Sequence, residues 1–448
     1  MTRKLVFAIA VLSAVLVASC GKDDGKKGGK TSGQGGQTAA EVPLIGTAEA
    51  ADYDVFGLGT FPIGMWVAPP ASFMSKARLQ EMKESGINVM NEPDPGDAAY
   101  MIRQLDWCKE VGLKMMGYYG GNRNIIEKAA TDKDYAPFDN LIQDVYSQYA
   151  DHEACWGEHF FDEPSKDQIA ALSVLGQKYR AAFPTKQIYV NLFPVHASNA
   201  QLGTTSYEDY LDTWMAVPGL TSVSFDIYPF MPDALVREDF FYNLDIVREK
   251  SRAKKMPYWV FVQSGAWKNR RLPTEEELRW NVATSYVFGS KGVQYFIYWF
   301  PSDDFTAYMI DRDGNKTEMY NYVKRINEDF AFIGSALLQC HAEGVIQHAE
   351  KKLEVFKTLT KFGPLLTVYG SPVNVGCFLS TDGHYKYLVN NHMPGQGATS
   401  ARLEFAPNVK KVRVTTSAGA SEKAPTFGLI DLTLSDGGQP VLIEVLTD

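Results

Sequence analysis

From Phe56 to about Leu338, short apolar runs alternate with longer amphipathic stretches. The apolar runs are Phe61–Val67, Ile87–Asn91, Leu113–Tyr118, Trp156–Asp162, Gln187–Leu192, Ser222–Tyr228, Tyr258–Val262 and Val293–Phe300. They are rich in β-branched and aromatic residues, the composition of parallel strands covered on both faces. Between them the pattern predicts helices over Lys76–Ser85, Asp97–Val111, Asp139–Tyr149, Lys166–Phe183, Tyr207–Val217, Arg237–Lys254, Glu275–Phe288 and Tyr320–Leu338. Gly86 and Gly112 stand where helix-terminating glycines belong, and Thr274 with Glu277 has the spacing of a capping box. Eight consecutive β-α units over about 280 residues predict a closed (β/α)8 barrel, the TIM-barrel fold, which takes about 250 residues. An open doubly wound sheet is the rival; no GxGxxG follows the first strand, which disfavours its dinucleotide-binding form.

After about Val345 the pattern changes. Gly and Pro turns separate alternating runs at Gly376–Ser380, Tyr385–Asn390, Ala401–Phe405, Val409–Thr415, Ile430–Leu434 and Val441–Leu446, with no long helical pattern. This predicts an all-β sandwich over residues 345–448, following a barrel over 52–344. Gln347–Lys361 fits either the last barrel contact or a first sandwich strand.

The beginning of the chain has another pattern. Arg3 and Lys4 precede an apolar run from Leu5 to Val17, shorter than the about 20 residues of a membrane-spanning helix. Small residues and a cysteine follow, Val17-Ala18-Ser19-Cys20. This resembles the lipobox of bacterial lipoproteins. The resemblance implies a signal peptide over 1–19 and lipidation of Cys20, hence a membrane anchor outside the inner membrane. Lys22-Asp23-Asp24 resembles the signal that sends some Gram-negative lipoproteins to the outer cell surface, so an outer-membrane, cell-envelope location is expected. Residues 20–51, poor in anything to bury, read as the lipidated cysteine and a flexible tether.

Charge narrows the ligand. The net charge is −9, with 44 basic and 53 acidic residues and no basic cluster, which argues against nucleic acid. Cys108, Cys155, Cys340 and Cys377 show no CxxC or Cys/His spacing, so neither a zinc site nor any other metal or cofactor is expected. Their apolar contexts suggest free buried thiols.

In such barrels the chemistry lies at the C-terminal ends of the strands. There this chain offers Trp66 from strand one, Glu92 from strand two, and Tyr118 and Tyr119 from strand three. Strands four to six add Asp162-Glu163-Pro164, Asn191 and then Asp226 with Tyr228; strand seven adds Gln263 and strand eight Trp299. These ends are rich in rings and carboxylates and nearly free of Lys and Arg. Rings stack on the C–H faces of sugars and carboxylates grip hydroxyls, so an oligo- or polysaccharide is the expected partner. Glycoside hydrolysis needs two carboxylates, one to protonate the leaving oxygen and one to attack or to activate water. Glu163, set among apolar neighbours that raise a carboxyl pKa, is the first candidate acid. Its structural alternative is a helix-start Glu favoured by the helix dipole.

The chain resembles the clan-A type of glycoside hydrolase, in which an acid/base Glu followed by Pro ends strand four and a β-sandwich can follow the barrel. The clan's Asn-Glu-Pro stands here as Asp162-Glu163-Pro164, and Trp299 matches an aromatic position of strand eight. The clan's nucleophilic Glu at the end of strand seven is missing: the chain has Val262-Gln263-Ser264. Asp226 is the first substitute for it and Glu92 the second. Trp66, Tyr118, Tyr119, Asp162, Asn191, Tyr228, Gln263 and Trp299 are the expected substrate contacts. Two other readings stand beside a glycosidase: a glycan-binding protein that has lost catalysis, and a metal-dependent hydrolase, for which only His159 and His196 lie near strand ends.

Overall fold

The computed structural model describes residues 41–435 and 438–447. The expected signal segment, Cys20 and the tether up to residue 40 lie outside the described residues. Among the described residues, no helix is long and apolar enough to cross a membrane.

Eight parallel strands form one sheet. In chain order they are Ile63–Met65, Val89–Met90, Lys114–Gly117, Cys155–Asp162, Gln187–Leu192, Val223–Asp226, Tyr258–Gln263 and Val293–Phe296. From strand two to strand eight each pairs with its sequence neighbour, and strand one pairs with strand eight, Ile63 opposite Val293, but not with strand two. Side chains and loop backbone bring strands one and two together. The Asn88 amide N–H donates to the Ile63 carbonyl at 3.0 Å, and the Asn88 side chain accepts from the Ile63 N–H at 2.7 Å. The molecule is thus a TIM barrel followed by a β-sandwich.

Aromatic rings fill the barrel: Trp66, Trp156, Tyr189, Trp259 and Phe261 form a buried cluster with Val89 and Met116. Through them runs a polar chain. Asn91 donates to Gln294, Tyr189 Oη to Gln294 Oε1 at 2.5 Å, and Gln294 Nε2 to Ser224 Oγ at 2.8 Å. Ser224 then donates to Asn191 Oδ1 at 2.9 Å. Buried polar groups in partnership cost little, and an interlocked set fixes strand register.

The helices begin and end where local chemistry dictates. Thr274 and Glu277 form the expected capping box, their backbone N–H groups crossing to each other's side chains at 3.0 and 3.2 Å. Gly112 ends Ala98–Val111 with φ of 76°, a conformation that suits glycine. The third crossover differs from expectation. It holds two helices, Asn122–Asp132 and Ala136–Asp144, where one over Asp139–Tyr149 was expected. Asn122–Asp132 follows two glycines and starts without a side-chain cap, so it carried no start signal in the sequence. Strand eight also stops earlier than expected, at Phe296.

The sandwich has a seven-stranded and a three-stranded sheet. Its first strand, Cys340–His348, runs across the expected 344/345 boundary and pairs antiparallel with Val373–Ser380. Leu365–Gly370 and Gly419–Lys423 are strands that the alternation did not reveal. The last residues of the expected tether, 41–51, lie on the folded body. Val42 and Leu44 pack on the sandwich core, Ile45 bridges His384, and Glu49 pairs with Arg252. These apolar residues escaped a reading dominated by the polar stretch before them.

Candidate active site

Strand ends four, five and six build the floor of a cavity of about 160 Å³ at the C-terminal mouth of the barrel. Asp162, Glu163, Asn191 and Asp226 supply its polar side. Trp66, Tyr228, Phe261, Trp267 and Phe296 supply the rings.

Asn191 organises the carboxylates: its Nδ2 donates to Asp226 Oδ1 at 3.1 Å and to Asp162 Oδ1 at 3.3 Å. Glu163 leaves strand four with φ of 53°, in the left-handed region, while its N–H donates to the Asn191 carbonyl at 2.8 Å. Non-glycine residues pay about 1–3 kcal/mol there and hold it only where surroundings enforce it. Val67 (φ 63°) and Lys268 (φ 43°) do the same beside the wall residues Trp66 and Trp267. Three of the six such residues among those described thus lie at or beside this cavity.

The electrostatics follow from burial. Desolvation, then the neighbouring Asp162 charge, pushes Glu163 up to about 7, against the pull of Arg123. Asp226 is more deeply buried; desolvation and the charges of Glu163 and Asp162 hold its carboxyl well above the usual range, against the Asn191 amide. Desolvation raises Asp162 as well. Carboxylates so crowded cannot all ionise near neutral pH.

Of the expected site residues, Glu163, Asp226, Asp162, Asn191, Trp66 and Tyr228 meet at this cavity. Trp66 packs edge-on to His159 at 5.0 Å, and Tyr228 edge-on to Trp267 at 4.9 Å. Tyr118 stacks on His159 at 4.7 Å, and its hydroxyl feels the charges of Glu92 and Asp162.

Four expected residues do other work. Glu92 lies off the cavity, and its Oε2 accepts the Val67 N–H at 2.9 Å, which anchors the strained residue after Trp66. Burial pushes it up to about 8. Gln263 is fully buried and turned to backbone: it accepts from Phe230 N–H at 3.0 Å and donates to the Arg271 carbonyl at 2.7 Å. Its amide staples the loops after strands six and seven. Trp299 is buried against Phe73 and Arg78, because strand eight ends three residues before it. Tyr119 packs on the hydrophobic core, and its N–H binds the buried Glu158 at 2.9 Å.

Sequence reasoning missed Trp267, Phe296 and Phe261 as cavity walls. Trp267 comes from a short antiparallel ribbon, Ala266–Trp267 with Phe305–Ala307, beyond the strand ends that the pattern marks. It also missed nearby cations. Arg123 stands over the Phe161 ring at 5.0 Å within electrostatic reach of Glu163, and Arg270 is within reach of Asp226 and Tyr228. Both arginines come from a loop or a helix start, whereas Phe261 and Phe296 lie in strands seven and eight. The histidines stay off the cavity lining: His159 is buried below it and held near 3 by desolvation, and His196 lies 4.0 Å from Asp239.

No protein-family profile and no curated protein matches the chain. Solved structures do. An α-amylase from Anoxybacillus aligns with TM-score 0.50 and 11% identity over 83% of this chain and 90% of its own. A family 27 β-L-arabinopyranosidase from Geobacillus stearothermophilus aligns at 0.48 and 10% over 89% and 100%. A family 30 xylanase from Clostridium acetobutylicum aligns at 0.44 and 10% over 86% and 96%. At such identity the likeness is one of fold alone.

Proposed function

We propose that this protein hydrolyses glycosidic bonds, with Glu163 as general acid and Asp226 as its partner. One observation carries the reading: carboxyls from strands four and six share an aromatic-walled cavity whose burial keeps a proton available near neutral pH. Burial and mutual repulsion raise both carboxyls, so the pair holds a proton between them; Glu163, the less buried of the two and the one that ends strand four, is assigned the acid's role. Protonated Glu163 gives its proton to the leaving oxygen; ionised Asp226 attacks the anomeric carbon or draws a proton from water. The rings of Trp66, Tyr228 and Trp267 offer faces for the sugar.

The test is release of reducing sugar from a panel of plant and host oligosaccharides. Glu163→Gln and Asp226→Asn should each lower the rate about 10²–10⁴-fold, the range of general acid–base contributions. Release that survives both changes sinks the assignment. One observation favours a second reading, a glycan-binding protein without turnover: Gln263 holds backbone where the resembled hydrolases carry a carboxylate. Binding of an oligosaccharide that is never cleaved would select it.

We further propose that the chain is anchored to the cell envelope, at the outer membrane, by lipid on Cys20, on the strength of the Val17-Ala18-Ser19-Cys20 sequence. Metabolic labelling with an alkyne fatty acid should mark the protein, and Cys20→Ala should abolish the mark.

A further inference from the structure

The turn after strand seven carries a guanidinium with no anionic partner. Trp267 and Arg270 close this turn by exchanging backbone hydrogen bonds of 3.1 and 2.7 Å, so the ring that walls the cavity fixes the start of the Arg270 side chain. Arg270 Nη1 meets only the neutral Asn269 amide, at 3.0 Å. Its Nε is buried and unpartnered. Among the described residues no carboxylate pairs with it. Behind it stands Arg237, whose N–H binds the Pro229 carbonyl at 3.0 Å just after Tyr228. Arg237 spends Nε and Nη2 on Asp239, while its Nη1 is buried without a partner. Both guanidiniums stand just off the cavity lining and feel each other's charge, and Arg270 also feels Tyr228, Asp226 and Asp239.

Unpaired buried guanidinium N–H groups are costly, and a planar fork matches a carboxylate or sulfate in two parallel hydrogen bonds. The acidic floor repels an anion at Asp162, Glu163 and Asp226, so a negative group fits only on the Trp267 side. We propose that the sugar bound in this cavity carries an anionic substituent, a uronate carboxylate or a sulfate ester, gripped by Arg270 with Arg237 behind it. This rests on the glycan reading above. The sequence hid it because Arg237 and Arg270 are far apart in the chain and lie off the strands.

Calorimetric titration of the detergent-solubilised full chain tests it, in a Glu163→Gln background that prevents consumption. The probes are oligogalacturonates, chondroitin sulfate oligosaccharides and their carboxyl-reduced or desulfated counterparts. One anionic class should bind at least tenfold tighter than its neutral counterpart, with affinity falling as salt rises. Arg270→Gln should erase that preference and Arg270→Lys keep part of it. The two arms tell carboxylate from sulfate. Equal affinity for the neutral counterparts, binding by neither anionic class, or a preference untouched in Arg270→Gln overturns the proposal. Turnover separates the two readings. Cleavage of neutral glycans by the unsubstituted chain, indifferent to Arg270, sinks this inference and leaves hydrolysis standing. Anion-dependent binding without cleavage does the reverse.

Discussion

Glu158 and Glu163 lie five residues apart, and desolvation pushes both carboxyls up to about 7, yet they face different tasks. Glu158 is fully buried and accepts from Tyr119 N–H, Asn122 Nδ2 and Tyr149 Oη at 2.8–2.9 Å. Glu163 lines an open cavity and has no such set of partners. A carboxyl raised on folding from 4.5 to about 7 binds more protons in the native state. Its stabilising effect is therefore complete below pH 4.5 and is lost as pH rises through 7. For Glu158 the loss amounts to about 3 kcal/mol. Glu158→Gln keeps the shape and cannot ionise, so denaturant titrations at pH 5 and pH 8 should show a flatter pH dependence than the parent; an unchanged slope refutes this. For Glu163 the same pKa makes hydrolysis fall about tenfold per unit above pH 7, as the acid is deprotonated. Glu92→Gln, which can still accept from Val67, should keep activity within a few-fold, and a loss as deep as that of Glu163→Gln would return Glu92 to the catalytic pair. Six cavity residues were legible because parallel strands deliver their last side chains to one mouth. Trp267 was not, because a turn put it there. Gln263 misled because a strand-end position does not say which way an amide faces.

At the scale of elements, periodicity found what solvent and core divide cleanly, and it failed where that division is absent. The barrel strands are covered on both faces and read as apolar runs. Gly419–Lys423 is exposed along its whole length and showed no alternation. Helix Glu275–Val287 is the opposite case, buried from Glu277 to Val287, its polar Arg279, Asn281, Thr284 and Ser285 included, and reached by solvent only at its start. It is covered all round because the sandwich lies on its outer face: Trp280 Nε1 donates to the Asn391 carbonyl at 3.1 Å, and Asn390 Nδ2 to Thr284 Oγ1 at 3.3 Å. Such a helix depends on packing more than on its cap. Thr274→Ala should cost about 1 kcal/mol, the usual worth of a side-chain cap, and Trp280→Ala about 3–5 kcal/mol, that of a large buried ring. Urea titrations of the two variants decide it, and equal losses would mean that the helix stands without the sandwich.

The whole molecule depends on the same contact. A Cβ at Gly376 would come within 2.3 Å of the Val287 carbonyl, so the sandwich strand Val373–Ser380 meets the helix at backbone distance. Lys291, between helix and strand eight, is fully buried and donates to the carbonyls of Leu337 and Cys340 at 2.5 and 2.6 Å. Burial lowers its ammonium to about 8, and the Nζ stands 5.1–5.8 Å from the ring centroids of Tyr53, Phe61 and Phe378. These carbonyls mark the junction of the last barrel helix with the first sandwich strand, so one side chain binds the end of one part to the beginning of the other. A seam made of buried backbone and a buried cation opens only with both parts, which predicts a single unfolding transition. All 8 tryptophans precede the sandwich and, of these, Trp280 touches it, so their fluorescence reports chiefly the barrel, while hydrogen exchange of the Val373–Ser380 amides reports the sandwich. The two midpoints should coincide. Lys291→Met leaves two buried carbonyls unpaired and should lower both midpoints together, by about 1–3 kcal/mol for each unsatisfied group. A sandwich that loses protection while barrel fluorescence stays native would show that the seam is a surface contact, and that the barrel holds its cavity without it.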